Sequence, residues 1–413
     1  MIHVCFGLYD KTGRYSKFTG TTILSLFENT STPPPSVTVH ILHDNTLTDE
    51  NRDKFNQIAG RYGQLIKFYN VEELCADRIA EFIRLMPSIK KSRLTVGALY
   101  RLLIIRLLPT DVDKVIYLDS DIVVNMDINE LWQIELGDKI FAAVPEILSY
   151  QTIDRMNGAF SLCNDGFVKH EDYFNTGTLA INLELLRNEE NTILEGLQFC
   201  AKNVRYQGYG DQDILNYCFS TRTLHLPTTF NRFTLYARMA KETAAEKIYH
   251  YAGGNFGYGL SLDVNDPFNR LWFDYFVKTP FFDADTIGRL YANMQQLNIG
   301  LKNAMANISA IVSNKARAFF AEPNNVDAIK RVFSIRKDEE IIRAENQQSV
   351  EKLLKAMKKS RGKKVFFIML PFFPFDALTN AGFEFGKDFV NGLEFLSETH
   401  GMPLNSYDII KNM

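Results

Sequence analysis

The chain has 413 residues with 46 basic and 49 acidic side chains, a formal net charge of −3. That length accommodates two domains, or one large α/β domain carrying an extension. Hydrophobic residues at 46% and charged residues at 23% exclude intrinsic disorder, and the near-neutral balance gives no reason to expect nucleic acid as a partner.

In chain order, residues 2–7 read as a strand and 21–28 as a helix with Ile23, Leu24 and Phe27 on one side. Residues 37–43 form a second strand, 49–61 a polar helix and 65–71 a third strand. Within 95–108, Leu99, Leu102, Leu103 and Ile105 recur at helical spacing. Residues 114–118 are then a buried strand that ends at two aspartates. Alternating strands and helices with apolar strands imply a mostly parallel sheet between helices, with ligands beyond the carboxyl ends of the strands. Later strands are expected at 141–144, 178–182 and 247–251, with a helix at 213–220. A boundary near 278–280 separates a domain of residues 1–280 from a mainly helical accessory region of residues 281–413.

The five cysteines, Cys5, Cys75, Cys163, Cys200 and Cys218, are scattered and never in a CxxC pair, which favours a reducing cytoplasm over a disulfide framework. The N-terminus lacks a positive leader and reads as a first strand. No apolar run reaches the roughly 18–20 residues of a membrane span.

Asp119 and Asp121 are the most informative pair. Two carboxylates one residue apart, just past a buried strand, can turn toward one hard cation, and Mg²⁺ or Mn²⁺ completes its shell with water and substrate phosphates. The same spacing also fits a haloacid-dehalogenase-like phosphatase, in which the first aspartate attacks phosphorus. That chemistry places its motif on the first strand, whereas here three strands precede it, and Leu215 stands where its last carboxylate belongs. His250 ends an apolar run and is followed by Gly253 and Gly254. Its imidazole suits Mn²⁺, and the glycines let backbone N–H groups approach phosphate oxygens.

With these residues the chain resembles the family 8 retaining glycosyltransferases over roughly residues 2–276. Residues 4–15, with Tyr9 and Asp10, resemble the first strand and uridine-binding turn. Arg101 lies in a helix like the one whose arginine faces the donor sugar, and Asp119, Ser120 and Asp121 form the metal motif. Asn175 and Thr176 lie on the acceptor-side strand, and Asp211, Gln212 and Asp213 line the reacting centre. His250 closes the site as the third metal ligand. The resemblance implies a GT-A fold and a Mn²⁺- or Mg²⁺-assisted transferase that moves a hexose from a UDP-sugar to a glycan or protein acceptor. Gln212, Asp211 and Asp213 are then the catalytic group. Tyr9, Asp10, Arg101, Asp119, Ser120, Asp121, Asn175, Thr176, Gly253 and Gly254 are donor-binding, and Asp119, Asp121 and His250 hold the metal. Gln212 is better suited to stabilise an oxocarbenium-like ion than to attack it, because an amide oxygen is a poor nucleophile.

Phe256 stands where relatives carry a lysine on the diphosphate, which makes a non-catalytic UDP-sugar-binding protein the alternative outside enzymes. Relatives attach to membranes through basic and aromatic C-terminal residues. Residues 352–364, with seven basic side chains, and Phe366, Phe367, Phe372, Phe373 and Phe375 offer such a contact at the inner face of a membrane. The plainer reading is a solvated basic helix face before a buried strand. The apolar spacing over 287–311 suits a homodimer contact, and residues 365–395 suit a small α/β element.

Overall fold

The computed structural model describes residues 1–86, 96–146, 160–252, 266–284, 286–288, 315–323, 326–333, 335–344, 349–370 and 373–392. It divides into two compact units, Met1–Ile287 and Gly288–Met413. Gly253, Gly254, Phe256, Phe372 and most of the 287–311 segment lie outside the described residues.

The first unit carries strands β1 (Ile2–Leu8), β2 (Val37–His43), β3 (Leu65–Asn70), β4 (Lys114–Leu118), β5 (Ile122–Asn125), β6 (Phe141–Pro145), β7 (Phe174–Asn182), β8 (Thr223–His225), β9 (Arg232–Phe233) and β10 (Lys247–His250). Seven of them form one sheet in the order β3-β2-β1-β4-β7-β6-β8. The pairs β1–β2, β2–β3, β1–β4 and β6–β8 are parallel, while β7 runs antiparallel to both β4 and β6. This is the α/β sheet expected from the alternation of elements. A smaller sheet, β5-β10-β9, stands beside it.

The helix expected at 21–28 spans Arg14–Asn29. It starts early because the Asp10 carboxylate accepts hydrogen bonds from the backbone N–H groups of Tyr15 (2.8 Å) and Ser16 (2.9 Å). Its buried hydroxyls fasten it to the loop after β4: Thr19 donates to Ser120 Oγ at 2.8 Å and Thr22 to the Ile122 carbonyl at 2.7 Å. Polar residues on that face hid the element from hydrophobic periodicity. The 95–108 segment is a 3₁₀ helix, Val96–Leu103, continued by a short α-helix, Ile104–Leu107.

The second unit contains β11 (Ala316–Ala321), β12 (Glu340–Arg343), β13 (Lys364–Met369) and β14 (Phe389–Asn391), all parallel, in the order β12-β11-β13-β14. Helices Val326–Val332, Ser349–Lys359 and Asp376–Asn380 connect them. Its helices thus accompany a sheet, in line with the α/β element expected for residues 365–395. In helix Ser349–Lys359, Leu353 and Met357 are buried while Lys352, Lys355, Lys358 and Lys359 are exposed. Phe366, Phe367 and Phe373 are buried in the core, so these rings are not available to a membrane, and the basic residues form a solvated face. Among the described residues no helix is long and apolar enough to cross a membrane.

One buried ion cluster braces the second unit. Glu339 accepts hydrogen bonds from Arg317 Nη2 at 2.8 Å and Arg336 Nε at 3.0 Å. Burial pushes its carboxyl up, but the two guanidiniums outweigh that and hold it at about 2 against an ordinary 4.5. Glu339→Gln is therefore expected to cost about 2–3 kcal/mol. A depressed carboxyl contributes fully above its unfolded pKa and loses that contribution as pH falls toward about 2. Hydrogen exchange of β11 and β13 at pH 7 should speed up in the variant, and the gap from wild type should narrow at pH 3. An equal gap at both pH values would show that the ion pairs do not carry the effect.

Candidate active site

Register explains how residues far apart in sequence converge. β4 ends at Leu118, paired with Thr178 of β7, and the next backbone N–H, of Asp119, donates to the Gly177 carbonyl at 2.8 Å. Asn175, Thr176 and Gly177 thereby lie alongside the aspartate loop. β10 pairs antiparallel with β5, with His250 opposite Ile122, and the Tyr251 N–H donates to the Asp121 carbonyl at 2.9 Å. That pairing carries His250 to the two carboxylates: its Nε2 lies 3.3 Å from Asp121 Oδ1 and 4.0 Å from Asp119 Oδ2. One ligand atom from each of Asp119, Asp121 and His250 lies within 4.8 Å of the others.

Arg101 organises the opposite side. Its guanidinium reaches Asp119 Oδ1 at 2.7 Å, Asp211 Oδ2 at 2.8 Å and the Thr176 carbonyl at 2.6 Å. It also lies 4.3 Å from the centre of the Tyr117 ring. Because Arg101 takes Asp119 Oδ1, Asp119 Oδ2 is left toward His250. Burial pushes the Asp211 carboxyl up to about 6, against the pull of Arg101. Gly210, with φ 59°, turns the chain into helix Asp211–Phe219, which sets Asp211 and Gln212 at the wall.

These groups line an open cavity of about 220 Å³. Tyr9, Arg101, Asp119, Ser120, Asp121, Thr176, Asp211 and Gln212 all face it, joined by Tyr15, Gly97, Ala98, Tyr117 and Tyr209. Four of the expected site residues that the structure describes do not line it: Asp10, Asp213, Asn175 and His250, whose imidazole reaches the two aspartates without facing the cavity. The Asp10 carboxylate accepts from the Tyr15 and Ser16 N–H groups and so braces the turn carrying Tyr9. Tyr173 Oη donates to Asp213 Oδ1 at 2.7 Å and the Tyr209 N–H to Oδ2 at 2.8 Å, so both oxygens are occupied. Asn175 is buried behind Gln212, to whose Oε1 it donates at 3.1 Å. The Thr176 N–H donates to the same oxygen at 3.2 Å. Gly253 and Gly254 fall outside the described residues.

The donor set fits a divalent cation. Two carboxylates and an imidazole are the ligands that Mn²⁺ accepts, and the imidazole is oriented by a further contact, His250 Nδ1 to Asn231 Oδ1 at 3.0 Å. Burial works against a charged His250, but Asp121 outweighs it and raises the imidazole pKa above 6.5, while Asp121 is lowered in turn. A cation binding there competes with that proton. Asn231, Tyr209, Gly97 and Ala98 carried no pattern of their own in the sequence. Of these, Tyr209 adjoins the Gly210-Asp211 turn and was the one within reach.

The comparisons agree with this architecture. Residues 8–255 match the model of the family described as glycosyl transferase family 8. A match over more than half of its length means that the chain belongs to glycosyl transferase family 8. The phosphatase alternative is thereby overturned. The chain is 30% identical to a lipopolysaccharide 1,2-glucosyltransferase of Escherichia coli over 51% of this chain and 57% of that protein. It is 24% identical to a lipopolysaccharide 1,3-galactosyltransferase of Salmonella typhimurium (strain LT2) over 54% of this chain and 64% of that protein. The match thus spans less than two thirds of either relative. The galactosyltransferase LgtC, solved with donor and acceptor sugar analogs, shares the fold: its TM-score is 0.55 at 23% identity, over 70% of this chain and all of that one.

Proposed function

We propose that this chain is a metal-assisted, retaining hexosyltransferase that takes a UDP-sugar as donor and a glycan as acceptor. The observation that carries the reading is the meeting of Asp119, Asp121 and His250 at a point where the two aspartates line one cavity together with Arg101, Asp211 and Gln212. Asp119, Asp121 and His250 would hold the ion, Mn²⁺ in preference to Mg²⁺ because of the imidazole. When bound, a divalent ion supplies Lewis-acid stabilisation of the charge that develops on the departing diphosphate.

The protein's own groups do the rest. Tyr9 and Tyr15 offer rings at the cavity for a base, and Asp211 and Thr176 offer hydrogen bonds to sugar hydroxyls. The amide oxygen of Gln212 already accepts from Asn175 and Thr176, which suits a fixed dipole beside the anomeric carbon better than a nucleophile. Asp213 acts through this arrangement, holding Tyr173 and the Tyr209 turn. The relatives named for lipopolysaccharide make a bacterial surface glycan the first acceptor to try, a protein being the second. Free thiols at all five cysteines suit the cytoplasm, and the basic helix face of the second unit suits an anionic inner membrane surface.

The test has two stages. UDP with Mn²⁺ should raise the melting temperature, and EDTA should abolish the rise. Incubation with UDP-glucose, UDP-galactose and UDP-GlcNAc, read by product mass spectrometry, should then show one donor turned over. Metal-dependent binding without any turnover would make this a binding protein. Gln212→Ala should leave UDP affinity within about threefold while lowering turnover by about 10²-fold. Unchanged turnover would remove Gln212 from the catalytic group.

A further inference from the structure

A single backbone N–H fixes the orientation of a buried chain of amides. The Gly177 N–H donates to Asn175 Oδ1 at 2.9 Å, which identifies that end of the Asn175 side chain as oxygen. Asn231 Nδ2 donates to the same oxygen at 2.7 Å, so the other end of the Asn231 amide, its oxygen, faces His250 Nδ1 at 3.0 Å. An oxygen at that position requires the proton on Nδ1, which leaves Nε2 directed at Asp119 and Asp121. In the other direction, Asn175 Nδ2 meets Gln212 Oε1 at 3.1 Å. Asn231 is buried, 1% exposed, and no solvent relieves a broken link.

Packing confines the imidazole further. A Cβ on Gly177 would stand 2.4 Å from His250 Cε1 and 2.8 Å from Nδ1, so only glycine lets the ring lie this close to β7. The Phe233 ring meets His250 edge-on, with centroids 4.9 Å apart. The ring therefore has one seat, and the Asn231 amide decides which nitrogen it offers.

We infer that Asn231 is a positioning residue that couples the two ends of the site, setting the Nε2 of His250 for a cation and, through Asn175, the carbonyl of Gln212 for the sugar. This rests on the proposed function. A carboxamide is required because it must accept from Nδ1–H and donate to Asn175 at once. An aspartate would keep the first link and oppose an oxygen to Asn175 Oδ1 in the second. An alanine would lose both.

The test uses the full chain as wild type, Asn231→Asp and Asn231→Ala. Mn²⁺ affinity is measured by electron paramagnetic resonance without nucleotide, and kcat and KM by UDP-sugar turnover. Asn231→Ala should weaken Mn²⁺ binding about 10–100-fold and lower kcat. The isosteric Asn231→Asp should hold Mn²⁺ within about threefold while kcat falls about tenfold or more at little-changed KM. A purely structural role would lower the melting temperature without separating these two readings. Wild-type Mn²⁺ affinity in Asn231→Ala, or wild-type kcat in Asn231→Asp, overturns the inference. Should Asn231→Ala not fold, Asn231→Asp alone decides, since wild-type kcat in that variant overturns the inference. A wild-type chain that binds no Mn²⁺ overturns the functional reading itself.

Discussion

Asp121→Ala should abolish the metal-dependent stabilisation by UDP and lower turnover by about 10³-fold or more, which corresponds to roughly 4 kcal/mol of lost transition-state stabilisation. The side chain is one of three that meet at the proposed cation site, and the remaining pair, Asp119 Oδ2 and His250 Nε2 at 4.0 Å, offers too few donors to hold an ion tightly. The folding effect has a recognisable sign. Asp121 raises the His250 pKa above 6.5 in the folded chain, so their attraction contributes fully below that value and fades as pH rises through the raised one. The variant should therefore lose more stability at pH 5.5 than at pH 8.5, whereas the loss of UDP binding should persist at both. Melting curves with UDP and Mn²⁺, with and without EDTA, check this. Retained metal-dependent stabilisation would remove Asp121 from the site.

Arg101→Ala should strongly destabilise the first unit. The guanidinium is 6% exposed and is shared by Asp119 and Asp211, so its removal leaves two carboxylates facing each other without a cation. Breaking a buried pair in this way costs about 3–5 kcal/mol, or roughly 6–15 °C in melting temperature for a unit of this size. Asp211→Asn added to Arg101→Ala should restore part of that stability, because it removes one of the stranded charges, while turnover stays low. Calorimetry and turnover on the two single variants and the double variant test the coupling. Additive losses would mean that Arg101 and Asp211 act independently.

The strands at Val37–His43 and Lys114–Leu118 were legible to the residue because Val37, Val39, Ile41 and Leu42 recur through the first and residues 115–118 of the second are an unbroken apolar run. β7 was legible only from Thr178 onward. Its first four residues include Asn175 and Thr176, which are buried by hydrogen bonds rather than by apolarity, so hydrophobic patterning passes over them. The same cause hid the start of helix Arg14–Asn29. Within the site, Asp119, Asp121 and Arg101 stood out as charges next to apolar runs. Asp10 and Asp213 stood out equally, yet their oxygens are taken by the protein's own N–H and O–H groups, a distinction that only coordinates reveal. Asn231, between a 3₁₀ turn and a strand of two residues, has no periodicity around it at all.

The antiparallel pairing of His250 with Ile122 has a kinetic corollary. Side chains alternate along a strand, so a slip of one position would present Tyr249 or Tyr251 to the carboxylates in place of an imidazole. Pairings between strands so far apart in sequence slow folding, because loop-closure entropy is lost before the contact is gained. On the function proposed above, a refolding chain should capture manganese only once this register has closed, which paramagnetic relaxation can follow beside the gain of sheet content.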